Sequence, residues 1–113
     1  MIVLHDADLD RAATGAAWAG FGHAGQTCGS IKRIYVDRRV APEFERLLAA
    51  RARGLVPGDP MDPGTQLGAV ANAESRDVVV ELVRDALARG ARLVAGGPDP
   101  IRLPGAEIGR AHV

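Results

Sequence analysis

Residues 20–36 read GFGHAGQTCGSIKRIYV, and two motifs compete for the first ten of them. Gly20, Gly22 and Gly25 spell G-x-G-x-x-G, the fingerprint of a turn that cradles a dinucleotide pyrophosphate. Gly25, Gln26 and Cys28 spell G-Q-x-C and end on the single cysteine of the chain. The first motif requires a strand before Gly20 and a helix opening at Gly25. The second asks only for a loop that exposes a thiol. Upstream, apolar or small residues fall at 9, 12, 13, 16, 17, 20 and 21, which is helical spacing. Asp6 and Asp8 stand before that run as candidate N-caps. Downstream, Ile31–Val36 alternates apolar and polar residues, the pattern of a strand. The glycine loop therefore follows a helix and precedes a strand. That is the reverse of the dinucleotide context, and the G-x-G-x-x-G match is set aside.

Working outward, Ile2-Val3-Leu4 is a short apolar run that predicts a strand. Pro42 sits where a helix opens, followed by Glu43 and Glu45, and Phe44, Leu47, Leu48, Ala52 and Leu55 make one face of a helix over 43–55. The segment PGDPMDPGT at 57–65 excludes regular structure. A further helix is predicted over 74–89, with Val78, Val79, Leu82, Val83, Ala86 and Leu87 on one face and Gly90 as its C′ residue. Arg92–Ala95 reads as a short strand. Strands alternating with helices predict an α/β fold, part of a mainly parallel sheet with flanking helices.

The 113 residues make one small domain. Lys plus Arg number 14 and Asp plus Glu number 14, which removes the basic footprint expected of a nucleic-acid binder. No apolar run spans a bilayer, so no membrane role is expected. A single cysteine and the absence of a secretory leader pattern make a cytoplasmic location the expectation. His5, His23 and His112 are too scattered to hold a metal.

A lone cysteine in a small domain is ordinarily a buried apolar residue. Cys28 is flanked instead by Thr27, Gly29 and Ser30, in a glycine-lined turn where backbone N–H groups can stabilise a thiolate. His23 is a candidate base nearby.

At these residues the chain resembles the NAD(P)-dependent aldehyde dehydrogenases. MIVLHDADLDRAA is similar to the strand and helix before that family's active site, and FGHAGQTCGSIKRIYV to its nucleophile segment. APEFERLLAARARGLVPGDPMDPGTQLGAV is similar to the next helix and its G-D-P loop, and ELVRDALARGARLVAGG to the helix and strand beyond. The order is preserved from Met1 to about Gly97. The resemblance implies that Cys28 is the catalytic nucleophile, which attacks an aldehyde to give a thiohemiacetal and, after hydride loss, a thioester. It implies that Thr27 and Gly29 border the substrate, and that the Cys28 backbone N–H helps to hold the oxyanion. It implies NAD or NADP as cofactor, an aldehyde as substrate and a homo-oligomeric parent.

Two positions depart from the family pattern: His23 stands where Asn is commoner, and Gly68-Ala69 replaces Gly-Pro. The family's general-base glutamate, oxyanion asparagine and cofactor-binding segments have no counterpart here. The chain is therefore expected to be a fragment of the catalytic domain over 1–106, truncated at both ends, which binds no cofactor and oxidises no aldehyde by itself. Residues 107–113, EIGRAHV, are expected to be a non-family tail, with the coding pattern of sequencing-adapter read-through. Two other readings stay open at this point: a non-catalytic α/β interaction module, and a small thiol hydrolase using Cys28 with His23.

Overall fold

The computed structural model describes residues 1–99 and the backbone of 101–103 and 106–108. β1 (Ile2–Val3) lies parallel to β2 (Tyr35–Val36), with Ile2 opposite Tyr35 and Val3 opposite Val36. The amide of Tyr35 donates to the Met1 carbonyl at 3.0 Å and that of Asp37 to the Val3 carbonyl at 2.9 Å. Between the paired strands runs α1 (Leu9–Phe21), which makes β1, α1 and β2 a parallel crossover unit.

The start of α1 follows from Asp8, whose extended backbone leaves its carboxylate free to accept from the Arg11 amide at 3.0 Å. α2 (Ala41–Arg53) carries Pro42 in its first turn, Glu43 beside the exposed N–H groups, and Arg51 and Arg53 at the carbonyl end. Ahead of it, Asp37 closes a turn by accepting from the amide and guanidinium of Arg39, while the Val40 amide donates to the Asp37 carbonyl.

α1 and α2 pack against β1 around a core of Val3, Ala13, Ala16, Phe44 and Leu48. Ala13 and Ala16 face this core with almost no side chain, so the larger Phe44 and Leu48 of α2 fit close against α1. A polar strap runs along the same seam. Arg51 of α2 donates to the Thr14 hydroxyl at 3.0 Å and to the Asp10 carboxylate at 2.8 Å, both on α1.

α3 (Ala73–Ala88) starts on Asn72, which accepts from the Ser75 amide at 2.8 Å, and stops before Gly90 at φ 91°. None of its residues is buried. β3 (Ile101–Leu103) and β4 (Ala106–Ile108) form an antiparallel pair.

The α/β class and the parallel pair agree with the sequence reading, as do all three helices within two residues at each end. Two strand expectations are corrected. Of Ile31–Val36 only Tyr35–Val36 is strand, because β1 offers just two ladder partners. Ile31 instead donates its amide to Ala19 of α1 at 3.2 Å. Arg92–Ala95 is not a strand, since it joins no ladder among the described residues. It is tied to α2 by arginines: Arg53 donates to the Val94 carbonyl at 2.8 Å, and Arg92 pairs with Glu45. The apolar face expected on α2 is buried at Phe44 and Leu48, whereas that of α3 is exposed. Of the expected tail, residues 109–113 lie outside the described residues.

Candidate functional site

α1 ends at Phe21, and the chain enters a tight turn over Gly22–Gly25. His23 and Ala24 both take left-handed backbone conformations, with φ 53° and 54°. Such conformations are uncommon for residues with a Cβ and cost of the order of 1–3 kcal/mol each. Gly25 follows at φ 73°, and a Cβ there would come within 3.2 Å of the Gly20 carbonyl oxygen. Glycine at 25 thus lets the chain fold back on the end of α1. The same fact disposes of the dinucleotide motif. Gly20 lies within α1, not after a strand, and the turn closes on its own backbone. These glycines form no cradle for a pyrophosphate, so no cofactor step is assigned to them.

Cys28 lies beyond this turn. The Ser30 amide donates to the Thr27 carbonyl at 3.1 Å, which makes residues 27–30 a β-turn with Cys28 and Gly29 at its apex. Thr27, Cys28 and Gly29 are exposed, and Cys28 is a free thiol. The rear of the turn is buried: Ser30 is 9% exposed and its hydroxyl reaches the Gly20 carbonyl at 3.4 Å. With the Ile31 amide on the Ala19 carbonyl, this fixes the base of the turn to α1 while its tip stays open. Among the described residues the Cys28 backbone N–H has no acceptor.

Three side chains hold the approach to the cysteine, and sequence reading assigned none of them a role. Gln26 donates from Nε2 to the His23 carbonyl at 3.1 Å and accepts at Oε1 from the Ala71 amide at 2.7 Å. Lys32 donates from Nζ to the Gly25 carbonyl at 2.7 Å. Ser30 is the third. Gln26 stood within the quoted G-Q-x-C motif, but its partner at Ala71 is 45 residues away and no local pattern signals it. At the proposed base His23, the hydrogen bonds go to the backbone carbonyl.

A separate groove of about 360 Å³ opens between α1 and the segment after α2, lined by Trp18, Phe21, Leu55 and Gln66 among others. Cys28 does not line it. Among the described residues no group of His, Cys, Asp and Glu is placed to hold a metal, and no helix is long and apolar enough to cross a membrane.

Residues 1–108 match the family model for the aldehyde dehydrogenase family, and the chain belongs to that family. It is 43% identical over 97 residues to vanillin dehydrogenase from Pseudomonas fluorescens, covering 86% of this chain and 20% of that protein. It is 40% identical over 105 residues to betaine aldehyde dehydrogenase from Rhizobium etli, covering 93% and 22%. Among solved structures, it superposes on aldehyde dehydrogenase C from Pseudomonas syringae with TM-score 0.89 and 33% identity, covering 98% of this chain and 23% of that one. That structure is a cysteine-to-alanine mutant in complex with NAD+ and octanal. Betaine aldehyde dehydrogenase from Staphylococcus aureus, in complex with NAD+ and with a BME-modified cysteine, gives TM-score 0.91 at 27% identity, covering 98% and 23%. The chain thus spans about a fifth of the length of the relatives it matches.

Proposed function

We propose that this chain is the nucleophile-bearing part of an enzyme that oxidises an aldehyde to a carboxylic acid with NAD or NADP, and that Cys28 is the nucleophile. The observation that carries the reading is the exposed Cys28 at the apex of an anchored turn, within a segment matched to the aldehyde dehydrogenase family. The relatives' NAD+ complexes support the cofactor class.

The chemistry follows from the turn. The Cys28 thiolate adds to the aldehyde carbonyl carbon, a C–S bond forms, and the carbonyl π pair moves to oxygen. The Cys28 backbone N–H, without an acceptor in the described structure, is available to that developing oxyanion. Thr27 and Gly29 flank the sulfur and border the incoming aldehyde. NAD or NADP, when bound in the parent protein, would supply the hydride acceptor for this reaction. Loss of hydride from the tetrahedral carbon leaves a thioester on Cys28. Water, activated by a base from the remainder of the parent, then releases the acid and restores the thiolate. The parent acts as a soluble homo-oligomer in the cytoplasm, without nucleic acid or membrane as partner.

The isolated chain does not complete this cycle. Hydride transfer needs a nicotinamide held against the bound carbon, and the glycine-rich turn over Gly22–Gly25 is folded against its own backbone. Losing that alignment forfeits effective molarities of the order of 10⁵ M or more. The purified chain is expected to form no NADH from short aliphatic or aromatic aldehydes, while iodoacetamide still labels Cys28. Aldehyde-dependent NADH formation by this chain, abolished in Cys28→Ala, would overturn its assignment as an inactive part. In the full-length parent, Cys28→Ala abolishes oxidation; retained turnover there would remove Cys28 from the reaction.

A further inference from the structure

We propose that Gln26 is a positioning residue for the nucleophile: its side-chain amide ties the turn before Cys28 to the backbone of Ala71, so that the loop ahead of α3 sets the aim of the thiol. This inference rests on the reading of Cys28 given above. Its starting point is the mismatch between the turn's conformation and its local supports. His23 and Ala24 hold left-handed backbone angles without the freedom of glycine. Conformations of this kind persist only where surrounding contacts over-determine them.

Those contacts are few and specific. The His23 carbonyl receives two donors from one residue, the Gln26 amide at 3.1 Å and the Gln26 side-chain Nε2 at 3.1 Å. The other end of that side chain, Oε1, accepts from the Ala71 amide at 2.7 Å. The two contacts also settle which way the amide lies. A carbonyl oxygen needs a donor facing it and a backbone N–H needs an acceptor, so rotating the group by half a turn would set like against like at both ends. Asn72, next to Ala71, caps α3 by accepting from the Ser75 amide. Gln26 therefore joins the strained turn to the residue just before the N-cap of α3, 45 residues away. Cys28 sits between this tie and the second one, from Lys32 to the Gly25 carbonyl at 2.7 Å. One residue of chain, Thr27, separates Cys28 from Gln26. A shift of about 1 Å at a reacting atom is enough to cost roughly 10²-fold in rate.

The test is made in the full-length parent enzyme, with Gln26→Met, which keeps the length and loses both hydrogen bonds, and Gln26→Glu, which keeps only the acceptor. The expected result for Gln26→Met is a kcat lowered about 10- to 100-fold. The aldehyde KM stays within about threefold, and Cys28 stays open to iodoacetamide, because the loss is one of aim and not of thiol access. In Gln26→Glu the ionised carboxylate opposes the His23 carbonyl, whereas the protonated acid donates to it. The ratio of its kcat to that of the wild type therefore rises as pH falls. His23, Cys28 and Lys32, the titratable neighbours on the turn, are common to both proteins, so the ratio reports the added carboxyl and its effect on them.

A Gln26→Met enzyme with kcat within about twofold of wild type, alongside an inactive Cys28→Ala, overturns the positioning role and leaves the nucleophile intact. An active Cys28→Ala removes the nucleophile reading itself, whatever Gln26 does. If Gln26→Met yields no folded enzyme, Gln26→Glu decides: a wild-type kcat with a pH-independent ratio overturns the proposal.

Discussion

α2 and α3 are both amphipathic helices of similar design, yet one is built into the core and the other lies open. α2 places Phe44 and Leu48 at 3% and 7% exposure against α1. α3 presents Val78 and Leu82 at 51% and 64% exposure and buries none of its residues. Both carry a sound start, Pro42 in one and the Asn72 cap in the other, and α3 has the longer run. Their local sequences do not distinguish them. The difference is that α2 has a partner whose facing residues are alanines, while the apolar stripe of α3 stays largely exposed among the described residues. An apolar stripe records what a helix is able to bury, and a partner decides whether it does.

The sharpest way to break this contrast is to truncate one large side chain on each helix and follow urea denaturation of the chain. Phe44→Ala should cost about 3–5 kcal/mol, through lost transfer energy and the cavity left between α1 and α2. Leu82→Ala should stay within about 0.5 kcal/mol, as for an exposed position. Equal losses at the two sites would mean that α3 is packed in solution.

The facing side of the α2 interface gives the next effect. Ala13 is fully buried, so Ala13→Leu drives extra volume into the seam and should cost about 1–3 kcal/mol. Gly15, two residues further along α1 with nothing within 4 Å of an added Cβ, should accept Ala with no loss, and a gain of about 0.5–1 kcal/mol is expected. A third variant moves from the helices to the turn between them. Gly25→Ala should cost about 1–2 kcal/mol, because it combines a left-handed φ with a close approach to the Gly20 carbonyl. It should also change the iodoacetamide labelling rate of Cys28, which Ala13→Leu should not.

Helix starts sharpen the comparison further. Asn72→Ala removes the cap of α3 and should cost about 1 kcal/mol. Amide hydrogen exchange should show that loss as faster exchange confined to α3, with α1 and α2 unchanged.

The smallest effect is electrostatic. A charge-assisted hydrogen bond from Arg39 holds the Asp37 carboxyl well below the usual carboxylate range, and Arg46 lowers that of Glu43. Both lie at the α2 end of the molecule. A carboxyl whose pKa is depressed by folding contributes stability above its unfolded value, and that contribution disappears as pH falls through its folded value. These pairs are exposed to solvent and salt, so the urea midpoint should fall only slightly below about pH 4. The part of that fall due to the Asp37 pair should vanish in Arg39→Met.

Much of the fold was legible in local chemistry. The helix spans follow from apolar spacing, from Asp8 as a cap, from Pro42 in a first turn and from Gly90 after a last one, all local signals. The loop position of Cys28 was legible too, because the glycines and polar neighbours around it exclude a core setting. Strand lengths were not. Ile31–Val36 alternates over six residues, but a strand exists only where another supplies the ladder, and β1 supplies two partners. Arg92–Ala95 has strand character but joins no ladder among the described residues, and arginines of α2 and its own end hold it instead.

The residues around the thiol divide in the same way. By itself the sequence determined which residue carries the single thiol and that a turn must carry it, since glycine, turn polarity and a lone cysteine are local properties. Only the tertiary structure decided that His23 and Ala24 adopt left-handed angles, that Ser30 is buried behind the apex, and that Gln26 reaches Ala71. Those outcomes depend on where chain segments far apart in sequence meet. A hydrogen bond across 45 residues leaves no periodicity to read; it exists only once the fold has brought its donor and acceptor within 2.7 Å.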